Sequence, residues 1–256
     1  MPYFLSINVN IGVVPKILVG GNDKEMSFFS EDFHKPVSVI RSKRARRFTL
    51  RVCQLTGNIS ITIPLRSSIN SAKKFLLENT NWISGQLMKV VPRNYVSGGT
   101  WIPVEGIHRE IVIRKHLKEV NFLGARELIV DCADFEIGVI VKQFLLGHAA
   151  KILTPIIEDN AKYIGKRIKS IRFRDTRTRW GSCSSEGSIM VNWRLIMAPP
   201  SVYRYVVIHE VSHLRHMNHG TEFWKLVRSL HPSYLRDRSW LNENGRNLKR
   251  FVFESF

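Results

Sequence analysis

The sequence predicts an α+β protein, with a β-rich N-terminal part and a helix-rich C-terminal part. Three observations carry this expectation. Short β-branched runs separated by turn residues fill the chain before residue 66. Apolar residues recur at helical spacing from about residue 134 to 165, and helices are signalled again after Pro199. A hydrophobic fraction of 44% is ample for a sizeable core.

In order, residues 37–40, 48–52 and 59–63 read as strands, with Thr56, Gly57 and Asn58 forming the turn between the last two. Residues 41–47 form a dense basic turn. A single amphipathic helix is expected over residues 69–87, from the spacing of Ile69, Ala72, Phe75, Leu76, Ile83 and Leu87. Residues 91–100, with one Pro and two Gly, read as a linker. Short strands follow at 110–114 and 127–130. The helix over 134–165 contains Pro155, expected to kink or split it. Residues 168–174 alternate apolar and basic, as a half-exposed strand does, and 188–193 read as a second strand. Ser201 is the expected N-cap of the next helix, and a last helix begins near Thr221. The expected division is 1–133, the β-rich part with one helix, and 134–256, the metal-binding catalytic part, the two being compatible with one continuous domain.

Composition narrows the class. The chain of 256 residues has 39 Lys and Arg against 21 Asp and Glu, a formal net charge of +18. High apolar content argues against intrinsic disorder, and no uninterrupted apolar run of about 18 residues suggests a membrane span. Cys53, Cys132 and Cys183 are odd in number and far apart, which fits neither a disulfide framework nor paired Cys zinc ligands. With no leader pattern in the first 21 residues, the expected location is the cytoplasm.

The chemistry lies in His209-Glu210-Val211-Ser212-His213. Histidines four apart on a helix stand one turn above each other, so both imidazoles reach one ion. The intervening Glu210 falls beside that ion, where it takes a proton from a zinc-activated water instead of ligating. A catalytic zinc needs a third protein ligand, and His216, His219, Glu222 and His231 are the candidates. Continued on the helix, His216 would stand about 10 Å from His209 along the axis, and three ligands in a line cannot surround a tetrahedral ion. His219 is preferred, beyond a helix end at Met217-Asn218, with Glu222 next; the resulting ligand spacing is that of metzincins.

Around this helix, Arg177-Thr-Arg-Trp-Gly-Ser-Cys-Ser184, Val191-Asn-Trp-Arg-Leu-Ile196, Ala198-Pro-Pro200 and Asn218-His-Gly-Thr-Glu-Phe-Trp224 resemble the YgjP-like metallopeptidase family, which is related to the SprT-like and Spartan zinc proteases. The resemblance is densest over residues 168–230. It implies a zincin-like core with the HExxH helix beside a small sheet, zinc held by His209, His213 and His219, and Glu210 as general base. The family's usual Ala and Ser are replaced here by Ser212 and Gly220.

Arg179 and Ser182 are candidates for contact with substrate or an oxyanion, and the strand at 188–193, or one beside it, for pairing with an extended peptide. Trp193 and Cys183 read as core packing, Asn218 as a helix cap, and His216 and His231 as supporting or surface residues. Basic residues cluster at 41–51 and at 162–179, so nucleic acid or nucleotide phosphate joins peptide among the expected partners. The expected function is zinc-dependent peptide hydrolysis. Two alternatives stand beside it: metal-dependent hydrolysis of nucleoside triphosphates or phosphoesters, and a nucleic-acid-associated protein with a structural metal.

Overall fold

The computed structural model describes residues 25–30, 32–114, 122–131 and 136–254. Cys132, the N-terminal segment read for a leader, and the first residues of the helix expected from 134 lie outside the described residues. The architecture is mixed α and β, with several small sheets and, among the described residues, six α-helices.

The chain folds as two compact units, Met1–Val91 and Pro92–Phe256. The sequence reading places its division at 133/134, forty-two residues later. The difference has a packing cause: Ile102, Val104, Ile111, Leu128 and Val130, all before 133, lie in one buried core with Val141, Leu145 and Val206.

In the first unit, β1 (Glu25–Ser30), β2 (Lys35–Ser42), β3 (Thr49–Val52) and β4 (Ile59–Pro64) form a sheet in the order β1-β2-β4-β3. β2 and β4 run parallel, with Val37 opposite Ile59 and Val39 opposite Ile61. These residues and Ile63 are fully buried while their neighbours are not, so the two-residue alternation defines a core face. Ala72 and Leu76 of α1 (Ile69–Glu78) and Ile83 of α2 (Thr80–Leu87) share that core. The helix expected over 69–87 is thus two. They meet at Asn79, whose backbone leaves the helical region (φ −111°, ψ 18°) and whose side-chain Nδ2 donates to the Phe75 carbonyl at 2.7 Å.

In the second unit, β5 (Asn94–Tyr95) pairs with β13 (Phe251–Val252). The strands β6 (Trp101–Val104), β7 (Ile107–Ile113), β8 (Phe122–Leu123) and β9 (Glu127–Val130) make a sheet ordered β6-β7-β9-β8. α3 (Ile137–Tyr163) is continuous through Pro155 and is not split. Its buried stripe Val141, Leu145, Ala149, Leu153, Ile157, Ala161 recurs every four residues, and that packing offsets the roughly 3 kcal/mol that an internal proline costs. By length and composition alone α3 is apolar enough to cross a bilayer. The stripe is instead packed inside this core.

The sheet nearest the chemistry is ordered β10-β12-β11, from β10 (Ser170–Arg174), β11 (Gly181–Cys183) and β12 (Ser188–Asn192). A 3₁₀ segment, Trp193–Met197, leads into α4 (Pro200–Ser212), followed by α5 (Thr221–Leu230) and α6 (Tyr234–Lys249). Trp193 is core, 1% exposed and edge-on to Phe253.

Candidate metal centre

α4 starts one residue before the expected N-cap. Pro199 occupies the cap and Pro200 the first turn, where a proline's fixed φ suits a helix and its missing N–H is not needed. Ser201 lies inside the helix and hydrogen-bonds Asp237. Val202, Tyr203, Val206 and Val207 anchor α4 in the core, so the register of the following turn is fixed and Glu210 is carried inward, 6% exposed.

The helix also ends earlier than Met217-Asn218. His213 is already its C-cap, and the next backbone bonds are of i to i−3 type, from His213 to Glu210 and from Leu214 to Val211. Two side chains favour this ending. The Ser212 hydroxyl donates back to the Ile208 carbonyl at 2.7 Å, and His213 Nδ1 donates to the His216 carbonyl at 3.1 Å. His216 therefore contributes its backbone oxygen, and is off the helix. His213, not Asn218, is thus the cap that ends α4, and Gly220 precedes α5.

The reversal returns His219 to the end of α4. His219 Nε2 lies 3.1 Å from His209 Nε2, and the ligating atoms of His209, His213 and His219 all fall within 4.8 Å of one another. Zinc–nitrogen bonds of about 2.0–2.1 Å in a tetrahedron put neighbouring nitrogens ~3.3 Å apart, so the spacing suits one ion. The donor set fits as well. His213 spends its Nδ1 proton on the His216 carbonyl, which leaves Nε2 with its lone pair. Burial, and next the neighbouring His213 and His219, push His209 down to about 3; burial likewise lowers His213. Both are thus neutral and competent ligands near pH 7. The other ligand candidates are engaged elsewhere: Glu222 accepts from Lys225 at 2.8 Å, and His231 meets Asp237 at 2.6 Å. Among the described residues the cluster has three members, leaving room for a non-protein ligand.

Phe223 forms the floor. Fully buried, its ring centroid lies 4.9, 4.6 and 4.8 Å from those of His209, His213 and His219. Sequence reasoning assigns it only to the apolar stripe of the last helix.

Glu210 stands against β11, where a Cβ built on Gly181 would fall 2.5 Å from its Cγ. Burial raises the Glu210 carboxyl to about 8, partly offset by the positive charge of Arg179. Arg179 is thus electrostatically coupled to Glu210 while its side chain is exposed. Ser182 is half-buried on β11, opposite Met190. Cys183 is half-buried, its thiol pushed up to about 11 by burial and then by Glu210.

β12, the strand at 188–193, is paired on both sides and cannot accept another strand. β11 lies beside it at the edge of the sheet. The preceding loop, residues 175–180, is held from several directions. Lys249 Nζ donates to the carbonyls of Thr176 and Arg177 at 3.1 and 2.8 Å and sits 4.3 Å from the Trp180 ring centroid. Arg194 donates through Nε and Nη2 to Asp175 at 2.9 Å each, and Asn192 donates to the Thr176 carbonyl at 2.9 Å. Sequence patterning does not reveal these fastenings, because their partners lie up to 73 residues apart.

The family described as YgjP-like, metallopeptidase domain, matches residues 46–244, more than three quarters of the chain. A UTP pyrophosphatase of Escherichia coli (strain K12) is 23% identical over 142 residues, covering 53% of this chain and 84% of that protein. The crystal structure of the metallopeptidase zymogen of Pyrococcus abyssi abylysin is matched over 40% of this chain and 99% of that one, at 20% identity and a TM-score of 0.33.

Proposed function

The chain belongs to the YgjP-like metallopeptidase family and is a metal-dependent hydrolase, and from that premise we propose that it is a zinc peptidase with a zincin-like core. One observation carries this reading: three imidazoles converge beside a buried glutamate, with no fourth protein ligand among the described residues. His209, His213 and His219 would hold the ion. Zinc supplies Lewis acidity toward a carbonyl and acidifies water.

This chain's own residues account for the rest. The His216 carbonyl keeps the His213 ring in the Nε2-ligating tautomer. The Glu210 carboxylate receives the proton of the attacking water and holds it for the leaving amine. Burial raises this carboxyl in the metal-free chain, and the charge of a bound cation would lower it again, leaving a carboxylate able to take the proton. Arg179, whose charge reaches Glu210, stabilises developing negative charge on the substrate oxygen. Ser182 lies on the strand along which an extended peptide would pair, β11 being the edge of its sheet.

A second reading, nucleoside-triphosphate hydrolysis at the same centre, is favoured by the E. coli relative's name and by exposed Arg172, Arg174, Arg177 and Arg179 ahead of β11. Purified protein and its Glu210→Gln variant, assayed against a mixed peptide library and against nucleotides, separate the two. Peptide cleavage lost in the variant with zinc retained is the expected result. Pyrophosphate release without peptide cleavage would replace the peptidase reading, and full activity of Glu210→Gln would overturn the mechanism.

A further inference from the structure

The first unit carries a surface that the hydrolytic chemistry does not use. Between Asp32 and Val91 the sequence has eleven Lys and Arg and two acids, Asp32 and Glu78. Glu78 already pairs with Lys74. Lys43, Arg44, Arg46, Arg47 and Arg51 are all exposed and make no ion pair among the described residues. Like charges this close repel, and no ion pair among the described residues neutralises them.

Beside this turn is an open groove of about 310 Å³, at the small end of the ~300–1,000 Å³ range of ligand sites. Arg47, Phe48, Leu50, Phe75, Asn79 and Trp82 line it. Phe48 and Phe75 meet edge to face at 5.4 Å and make a rigid wall. The Asn79 amide bonds to the Phe75 carbonyl at the break between α1 and α2, and this break sets the position from which Trp82 projects. Trp82 is 46% exposed while still lining the groove. One exposed tryptophan alone would mean little. Here it stands in a groove with an arginine at its lip and four further unpaired cations on the adjoining turn and strand.

We propose that this groove binds single-stranded nucleic acid, with a base stacked on Trp82 and the phosphates following Arg44, Arg46 and Arg47. The two requirements distinguish the partner. An acidic peptide offers a flat ring only where an aromatic residue happens to stand among its carboxylates, and a duplex supplies phosphates but hides its base faces. A single strand offers both together.

The test uses the full chain and a fluorescein-labelled 20-residue oligothymidylate, read by anisotropy across a salt series, with a duplex of the same length and unlabelled heparin as comparisons. Trp82→Ala should weaken binding at least fivefold with the salt slope unchanged, and Trp82→Phe should recover most of the loss. Replacing Arg44, Arg46 and Arg47 by Gln should lower the logarithmic salt slope by about 2. These side chains are exposed, so the variants should keep their circular dichroism and melting temperature. The proposal fails if Trp82→Ala binds unchanged, if the duplex binds as tightly as the single strand, or if heparin binding is equally sensitive to Trp82→Ala. None of these readouts depends on hydrolysis, so they leave the peptidase reading to be judged separately.

Discussion

Gly181 and Glu210 are packed so closely that no side chain fits between them: a Cβ at Gly181 would lie 2.5 Å from Glu210 Cγ and 2.6 Å from its Cδ. Real carbons do not approach so closely, so one of the two must shift. Gly181 is held in β11 opposite Val191, and Glu210 is on an α4 turn whose neighbours are buried. The glutamate side chain is the part able to move.

Gly181→Ala should therefore lower the turnover number about 100-fold, the scale of a 1 Å misplacement at a reacting centre, while KM changes little. Bound zinc, measured by elemental analysis, should stay at the wild-type ratio, since the three imidazoles are not displaced. Wild-type turnover in this variant would show that Glu210 is not the proton acceptor from this position.

Glu210 also predicts a pH dependence in metal-free protein. Its carboxyl is raised from 4.5 to about 8, so the folded state holds this proton more tightly than the unfolded state does. The unfolded chain therefore binds fewer protons across that window, and stability falls as pH rises from about 4.5 to about 8. His209, held down near 3, acts in the opposite sense below 6.5, so the effect is isolated by comparison with Glu210→Gln. Denaturant unfolding of chelator-treated protein should show the variant gaining stability relative to wild type across that range; parallel curves would argue that Glu210 is not buried as described.

Phe223 is common to all three imidazoles, so its removal should affect folding and metal together. Phe223→Ala should cost about 3–5 kcal/mol in unfolding free energy. Phe223→Leu should restore most of the stability yet leave zinc affinity reduced about tenfold, because the rings lose a flat floor. Equal zinc affinity in Phe223→Leu and wild type would reduce the residue to core packing.

A second pH effect comes from Asp237, 2% exposed. Burial raises its carboxyl, but hydrogen bonds from His231, Ser201, Ser233 and Arg236 outweigh this and hold it below the usual range. A depressed acid stabilises the fold above its unfolded pKa, and that contribution disappears as pH falls through the folded value. Asp237→Asn should cost about 1.5–3 kcal/mol near neutrality, and the difference from wild type should shrink under acid. Unfolding curves at a series of pH values check both.

The periodic elements were legible in the sequence because their cause is local. β-branched alternation marked β2 and β4, and the spacing of His209 and His213 needed only a helix. What was not legible depends on partners far along the chain. β11 is Gly-Ser-Cys, too short and too small in side chain to show a period, and exists because β12 pairs with it. The break at Asn79 and the early end of α4 both interrupt a helical spacing that continues past them, and at α4 two side chains, Ser212 and His213, capture carbonyls. The unit boundary was displaced because strands from 101 to 130 join the core of α3, which composition cannot reveal. Phe223 looked like any apolar residue of a helix, since only the folded return of His219 places three imidazoles around it.

The clamp of Lys249 on Thr176 has a consequence in time. The two residues are 73 positions apart. At roughly 5–20 residues per second, a ribosome takes about 4–15 s to travel that distance. During this interval the segment bearing Arg177, Arg179 and Gly181 is already made while α6, which fastens it, is not. Completion of the candidate metal centre would thus be deferred behind synthesis of α4, and a nascent chain stalled before α6 would carry its three histidines without the fastened loop beside them.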